Sequence, residues 1–287
     1  MMDFSGVWVP LVTPFRSGDV DGPALRRLVA HLATQGVAGF VACGSTGEAA
    51  MLDELELSTV LRVTLDAAQG KPVLMGLSGV RPDRVARRAE QLAAEHPALA
   101  GYLLTAPAYV KPSQAGVLDF FRTVADASPR PIVAYDIPAR TGVRIEVRTL
   151  LALADHPRIR AVKDCSADAD AARAIVADGR LALLGGNDDE LFDQLARGAA
   201  GAITASSHLR AADFVRLHRW MAEGRLAEAR RLWHHLSGLV GALFAEPNPC
   251  VIKGVLAMQG WLADEVRAPM RTAARVAVER AEALSRP

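Results

Sequence analysis

The stretch Pro72–Pro107, PVLMGLSGVRPDRVARRAEQLAAEHPALAGYLLTAP, decides the fold. It opens on one apolar run, Pro72–Ser78, and closes on another, Gly101–Pro107. Between them Val85, Ala89, Leu92 and Ala93 recur at three- and four-residue spacing, as on a helix with one buried face. The runs themselves do not alternate, which is how strands covered on both faces read. Run, amphipathic helix and run together make the crossover unit of a parallel sheet.

Outward from this stretch the unit repeats. Val7–Phe15, Gly39–Gly44, Pro131–Ile137, Arg160–Ser166, Leu181–Gly186 and Gly201–Ser206 bring the runs to eight, and Leu25, Leu28, Val29 and Leu32 mark another helix. Eight units at roughly thirty-residue spacing predict an α/β fold, a closed (β/α)8 TIM barrel. An open doubly wound sheet would need a G-x-G-x-x-G turn after the first run, and none is present. From about Ala211 the pattern is helical, with breaks expected at Gly224, Gly238 and Pro247-Asn248-Pro249. The expected organisation is a barrel over residues 1–210. A C-terminal helical extension, 211–287, packs on it within the same domain.

Composition narrows the function. The 287 residues are 51% apolar, and 33 basic against 32 acidic side chains leave a net charge of +1. That balance gives no footprint for nucleic acid or an anionic membrane. No apolar run approaches the roughly 18 residues of a membrane span. The start, Met1-Met2-Asp3-Phe4-Ser5-Gly6, lacks the basic and apolar regions of a signal peptide, so a cytoplasmic location is expected. Cys43, Cys165 and Cys250 make no C-x-x-C pair and read as reduced small hydrophobes. The histidines show no ligand spacing, and His234 and His235 read as ordinary helix residues, so no metal is expected.

Only four basic residues are lysines: Lys71, Lys111, Lys163 and Lys253. Arginine stays protonated, so these four are the side-chain candidates for amine chemistry. Lys163 lies in the sixth run, where lost hydration favours the neutral amine and hence a nucleophile toward a carbonyl. The residues alone leave open a structural lysine at the barrel rim. Lys253 follows the eighth run, on a helix, where snorkelling of the ammonium to water is expected.

Barrel sites sit at the C-terminal ends of strands. Tyr135 ends the run next to that of Lys163 and is placed either to relay protons or to pack in the core. Gly44-Ser45-Thr46-Gly47 makes a tight turn whose N–H groups suit a carboxylate. Arg140, in a Pro- and Gly-bounded loop, suits a second carboxylate or a rim ion pair.

These pieces resemble the dihydrodipicolinate synthase / N-acetylneuraminate lyase family of pyruvate-dependent lyases. The motifs are Pro10-Leu11-Val12-Thr13-Pro14-Phe15, Gly44-Ser45-Thr46-Gly47-Glu48, Pro107-Ala108-Tyr109-Val110-Lys111-Pro112-Ser113-Gln114 and Tyr135-Asp136-Ile137-Pro138-Ala139-Arg140-Thr141-Gly142, then Lys163 and Glu246-Pro247-Asn248-Pro249. The resemblance implies an imine between pyruvate and Lys163, with no separate cofactor. It implies proton transfer by Tyr135, with Ser45 linking it to a second tyrosine, Tyr109, that reaches a neighbouring subunit. It also implies a homotetramer of two tight dimers. Ser45 and Thr46 N–H groups would hold the pyruvate carboxylate and Arg140 that of the second substrate. Gly186, which closes the seventh run, and Ile203, within the eighth, complete the expected substrate-binding set.

Arg140-Thr141-Gly142 and Glu246-Pro247-Asn248-Pro249 look like the branch that joins pyruvate to aspartate 4-semialdehyde, a lysine/diaminopimelate-biosynthesis step. Asp136, Ser45 and Asp164 stand where that branch usually has Asn, Thr and Glu. Sialic-acid lyases, 2-keto-3-deoxy sugar acid aldolases and 4-hydroxy-2-oxoglutarate aldolases share the lysine and the tyrosine. A keto-acid-binding barrel without turnover and a metal-dependent aldolase are the readings from other classes. Ala108, Glu54 and Val85 stand where lysine-sensitive relatives carry their lysine pocket, so feedback by lysine is expected to be weak or absent.

Overall fold

The computed structural model describes residues 2–286. Eight strands close into a parallel barrel: β1 Gly6–Pro10, β2 Gly39–Ala42, β3 Val73–Leu77, β4 Gly101–Thr105, β5 Ile132–Asp136, β6 Ile159–Asp164, β7 Ala182–Gly185 and β8 Gly201–Ile203. All but the first lie inside one of the eight expected runs or overlap most of it. The runs extend past the strands because the residues that follow, such as Gly44, Cys165 and Thr204, leave the ladder as turns at the strand ends.

The first run departs furthest from expectation. Only Gly6–Pro10 is a barrel strand, and Phe15–Arg16 instead pairs antiparallel with Asp19–Val20. Pro10 and Pro14 have no N–H for a ladder. Ser17 (φ 54°) and Gly18 (φ 88°) then supply the two left-handed positions of a tight hairpin.

The chain divides into two compact units. One holds residues 2–5 and Leu74–Ile203; the other holds Gly6–Val73 and residues 204–286. In the first, β4 to β7 are in register: Thr105 lies beside Tyr135, Tyr135 beside Lys163, and Lys163 beside Leu184. Its helices bury one face each. Pro82–Glu95 starts on Pro82, whose missing N–H costs nothing at a first helical position, and buries Val85, Ala86, Ala89, Leu92 and Ala93. Gln114–Ala127 is capped by the Ser113 hydroxyl, which accepts from the Gly116 N–H.

In the second unit β1 lies beside β2, with Trp8 paired to Gly39. A Cβ on Gly39 would stand 2.4 Å from the Trp8 ring and 2.6 Å from the Pro72 carbonyl, so only glycine lets the fully buried indole lie there. Asp53 and Glu56 form a reciprocal capping box at the start of helix Glu54–Ala67.

The C-terminal helices are Ala211–Ala222, Leu226–Leu243, Cys250–Met258 and Arg275–Ser285. Gly224 and the Pro247–Pro249 segment separate helices as expected, but Gly238 does not. A mid-helix glycine costs only about 1 kcal/mol. Burial of Leu236, Leu239 and Val240 around it outweighs that.

Candidate active site

Lys163 is the fifth of six residues in β6 and is only 5% exposed. Its Nζ lies 4.4 Å from the centroid of the Tyr135 ring on the adjoining strand. Burial pulls the amine below its ordinary pKa, and the nearby Arg140 charge adds to this, while Cys165 and Asp188 oppose it. Loss of hydration dominates, so the neutral form is favoured. This is a lysine held inside the barrel, not one that emerges at the rim.

Gly186 is held against that lysine. Its N–H donates to the Asp164 carbonyl at 2.9 Å. A Cβ there would stand 2.4 Å from Cys165 Sγ, 2.9 Å from Lys163 Cε and 2.9 Å from the Asp164 carbonyl. Cys165 therefore stands beside the amine, and its thiol donates to the Tyr135 hydroxyl at 3.9 Å. Burial pushes the thiol up to about 11, so it is a neutral donor and not a thiolate. Cys165, read from the sequence as a small hydrophobe, thus stands at the site; its position two residues after Lys163 is the signal for it. Ile203 is fully buried on β8 of the same unit.

Tyr109 and Arg140 stand on loops that touch. The Tyr109 N–H donates to the Thr141 carbonyl at 3.1 Å. Tyr109 sits at φ 72° and is 92% exposed. Arg140 lies in the short helix Pro138–Thr141, exposed, and among the described residues it pairs with no carboxylate, so it does not make the rim ion pair. Its loop is pinned at both ends. Asp136, 1% exposed, accepts from the Ile145 N–H at 3.1 Å, and Arg144 pairs with Asp168 at 2.9 Å. Burial first, and then the neighbouring Asp164 carboxylate, push Asp136 up to about 7, against the pull of the Ile145 hydrogen bond.

Ser45 and Thr46 belong to the other unit, in the single 3-10 turn Ser45–Gly47 after β2. The N–H groups of Gly47 and Glu48 are taken by the Gly44 and Ser45 carbonyls; those of Ser45 and Thr46 have no such partner among the described residues. Ser45 is exposed, whereas Thr46 is buried and its hydroxyl accepts from Asn248 Nδ2 at 2.9 Å.

Lys253 corrects the snorkelling expectation. It lies on a helix, as expected, but its side chain is fully buried and its Nζ donates to Glu48 Oε1 at 2.6 Å. It also donates to the Thr13 carbonyl at 2.9 Å. With the helix buried from Cys250 to Leu256, the ammonium has no route to water, so it needs an internal anion. Glu48, quoted in a motif but given no role, is that anion. Among the described residues, no group of three His, Cys, Asp or Glu side chains is placed to hold a metal ion, and no helix is long and apolar enough to cross a membrane.

The family model described as the dihydrodipicolinate synthetase family matches residues 3–285. A 4-hydroxy-tetrahydrodipicolinate synthase of Pelobacter propionicus is 36% identical over 273 residues, spanning 93% of this chain and 92% of that one. A crystal structure of dihydrodipicolinate synthase from Thermotoga maritima superposes with a TM-score of 0.94 at 29% identity, covering 99% of this chain and 98% of the other. A structure described as the first monomeric dihydrodipicolinate synthase variant superposes with a TM-score of 0.93 at 29% identity, covering 98% and 95%.

Proposed function

The chain belongs to the dihydrodipicolinate synthetase family and is an enzyme, and we propose that it joins pyruvate to aspartate 4-semialdehyde through an imine on Lys163. The product is 4-hydroxy-tetrahydrodipicolinate, a step of lysine/diaminopimelate biosynthesis. The observation that supports the imine is the buried Lys163 amine, lowered in basicity and set against Tyr135.

The neutral amine adds to the ketone carbon of pyruvate. Tyr135 gives a proton to the departing hydroxyl, water leaves, and the iminium becomes an electron sink. The methyl carbon then loses a proton, and the resulting enamine carbon attacks the aldehyde, whose oxygen takes up a proton. The amino group of the semialdehyde closes the ring by displacing Lys163, which returns as the free amine. Ser45 and Thr46 N–H groups hold the pyruvate carboxylate, with Ser45 linking Tyr135 to Tyr109. Arg140 grips the second carboxylate, and Gly186 and Ile203 line the pocket. No cofactor enters this scheme.

The assembly we propose is a homotetramer of two tight dimers in which Tyr109 serves a neighbouring subunit. The exposure of Tyr109 and of Val110 beside it supports this. The similarity to a monomeric variant makes the alternative concrete. Mixing Tyr109→Phe with Lys163→Ala subunits should regenerate activity in verified hybrids; hybrids that stay inactive rule the shared site out.

The function is tested by borohydride reduction with pyruvate, peptide mapping, and kcat/KM over a panel of aldehydes. A single adduct on Lys163 and a preference for aspartate 4-semialdehyde are expected. Arg140→Ala should lower kcat/KM for the semialdehyde by about ten- to a hundredfold while trapping of pyruvate is retained. An adduct on another lysine sinks the imine. A preference for N-acetylmannosamine sinks the choice of second substrate.

A further inference from the structure

Three consecutive residues of the turn after β2 are each held by a side chain from a distant segment. Thr46 Oγ1 accepts from Asn248 Nδ2 at 2.9 Å. The Gly47 carbonyl accepts from the Thr13 hydroxyl at 2.7 Å. Glu48 Oε1 accepts from Lys253 Nζ at 2.6 Å, and its Oε2 accepts from the Arg267 N–H at 2.8 Å. Lys253 also donates to the Thr13 carbonyl and lies 4.2 Å from the Phe15 ring centroid, so it ties the segment after β1 to the turn after β2. The neighbouring Val12 N–H donates to His208 Nε2 at 3.1 Å, a further tie on that segment.

The backbone of the turn shows that this grip is specific. Glu48 sits in the left-handed region at φ 56°, where glycine is the unstrained choice. A glycine there would leave Lys253 with no anion. A Cβ on Gly47 would meet the Leu11 carbonyl at 2.8 Å, so the turn is pressed onto the Leu11–Thr13 segment. The ion pair is fully buried and apolar filling would suffice to pack the helix Cys250–Met258. A charge pair adds direction: it sets where the backbone between Thr46 and Glu48 can lie.

We propose that Glu48 and Lys253, assisted by Asn248, are positioning residues that lock the Ser45–Gly47 turn so that its free N–H groups meet the carboxylate of the keto acid. This rests on the reading that pyruvate binds there and names what makes the turn competent. None of the three touches the reacting atoms; they act through the turn. The effect is therefore on affinity for pyruvate and not on affinity for the aldehyde.

The test measures, for Lys253→Met, Glu48→Gln and Asn248→Ala, the pyruvate concentration giving half-maximal borohydride trapping, the two KM values and the melting temperature. Val278→Ala is the control. Val278, on the helix Arg275–Ser285, packs against Gly254 of the helix that carries Lys253, so its loss loosens that helix without touching the turn. Each of the three variants should need about tenfold or more pyruvate, with the KM for the aldehyde within about twofold of wild type. Val278→Ala should melt lower yet keep the pyruvate value. If Lys253→Met does not fold, Asn248→Ala, which removes one neutral contact, carries the test. Unchanged pyruvate values, or equal rises for both substrates that track melting temperature, overturn the positioning role. Wild type that traps no pyruvate on Lys163 overturns the proposed function, and this inference with it.

Discussion

Substituting Gly186→Ala adds one methyl group beside the Lys163 side chain. The added carbon would stand 2.4 Å from Cys165 Sγ, 2.9 Å from Lys163 Cε and 2.9 Å from the Asp164 carbonyl. Ordinary carbon contacts settle at about 3.5–4.0 Å. The methyl is thus short by roughly 1 Å against the sulfur and roughly 0.6 Å against the other two. The lysine chain can bend away; the Asp164 carbonyl cannot, because it also accepts the Gly186 N–H. Overpacking of this kind costs about 1–3 kcal/mol of stability. A reacting atom displaced by about 1 Å costs up to about a hundredfold in rate, or about 2.7 kcal/mol of barrier. The expected result is a folded protein that traps pyruvate on Lys163 about ten- to a hundredfold more slowly. Adding Cys165→Ala removes the closest of the three contacts and should recover part of the rate, while Cys165→Ala alone stays near wild type. The assay is the rate of borohydride-trapped adduct at saturating pyruvate, with a thermal melt on the same samples. Wild-type trapping by Gly186→Ala would refute the reasoning.

Asp136 is raised from 3.8 to about 7, so the folded chain holds a proton that the unfolded chain releases; this favours the fold fully below pH about 3.8 and is lost as pH rises through about 7. A rise of that size corresponds to about 4 kcal/mol at most, and Asp136→Asn should abolish the slope, its melting advantage growing from pH 5 to pH 8; parallel curves would count against the buried carboxyl. Lys163 is displaced the other way, so the unfolded chain binds the extra proton and the penalty fades as pH climbs toward 10.5. Lys163→Met should therefore lose all trapping yet melt higher than wild type at pH 7, with the gap closing toward pH 10. Removing one member of the Glu48–Lys253 pair should cost about 3–5 kcal/mol, whereas Glu48→Gln with Lys253→Met should cost less than either alone, as read by denaturant midpoints.

The strands of the barrel were legible because a strand covered on both faces has no polar side, and most of the eight leave a nearly unbroken apolar run. Lys163 stood out for the opposite reason: a charge in such a run needs an account. What the sequence hid is long-range or depends on a single backbone angle. The anion for Lys253 is 205 residues away, and nothing local distinguishes an ammonium reaching water from one sealed in. Gly238 looked like a helix break, but the buried leucines on its helix decide the matter. Asp136 was visible as a departure from the family pattern, yet its burial and its bond to Ile145 follow from how the loop folds back, which periodicity does not report. The hairpin at Phe15–Val20 depends on left-handed angles at Ser17 and Gly18, and Ser17 carries no strong signal for one.

The 205-residue separation of Glu48 and Lys253 also sets a timetable. A ribosome adds about 5–20 residues per second, so Lys253 is made about 10–40 s after Glu48. Glu48 then has no ammonium to meet and Thr46 no Asn248, even once Tyr135 and Lys163 have been added to the chain. A chain interrupted before the helix Cys250–Met258 therefore carries the amine without the lock on the turn. Under the proposed mechanism, synthesis of the helix Cys250–Met258, and not that of Lys163, completes the keto-acid site.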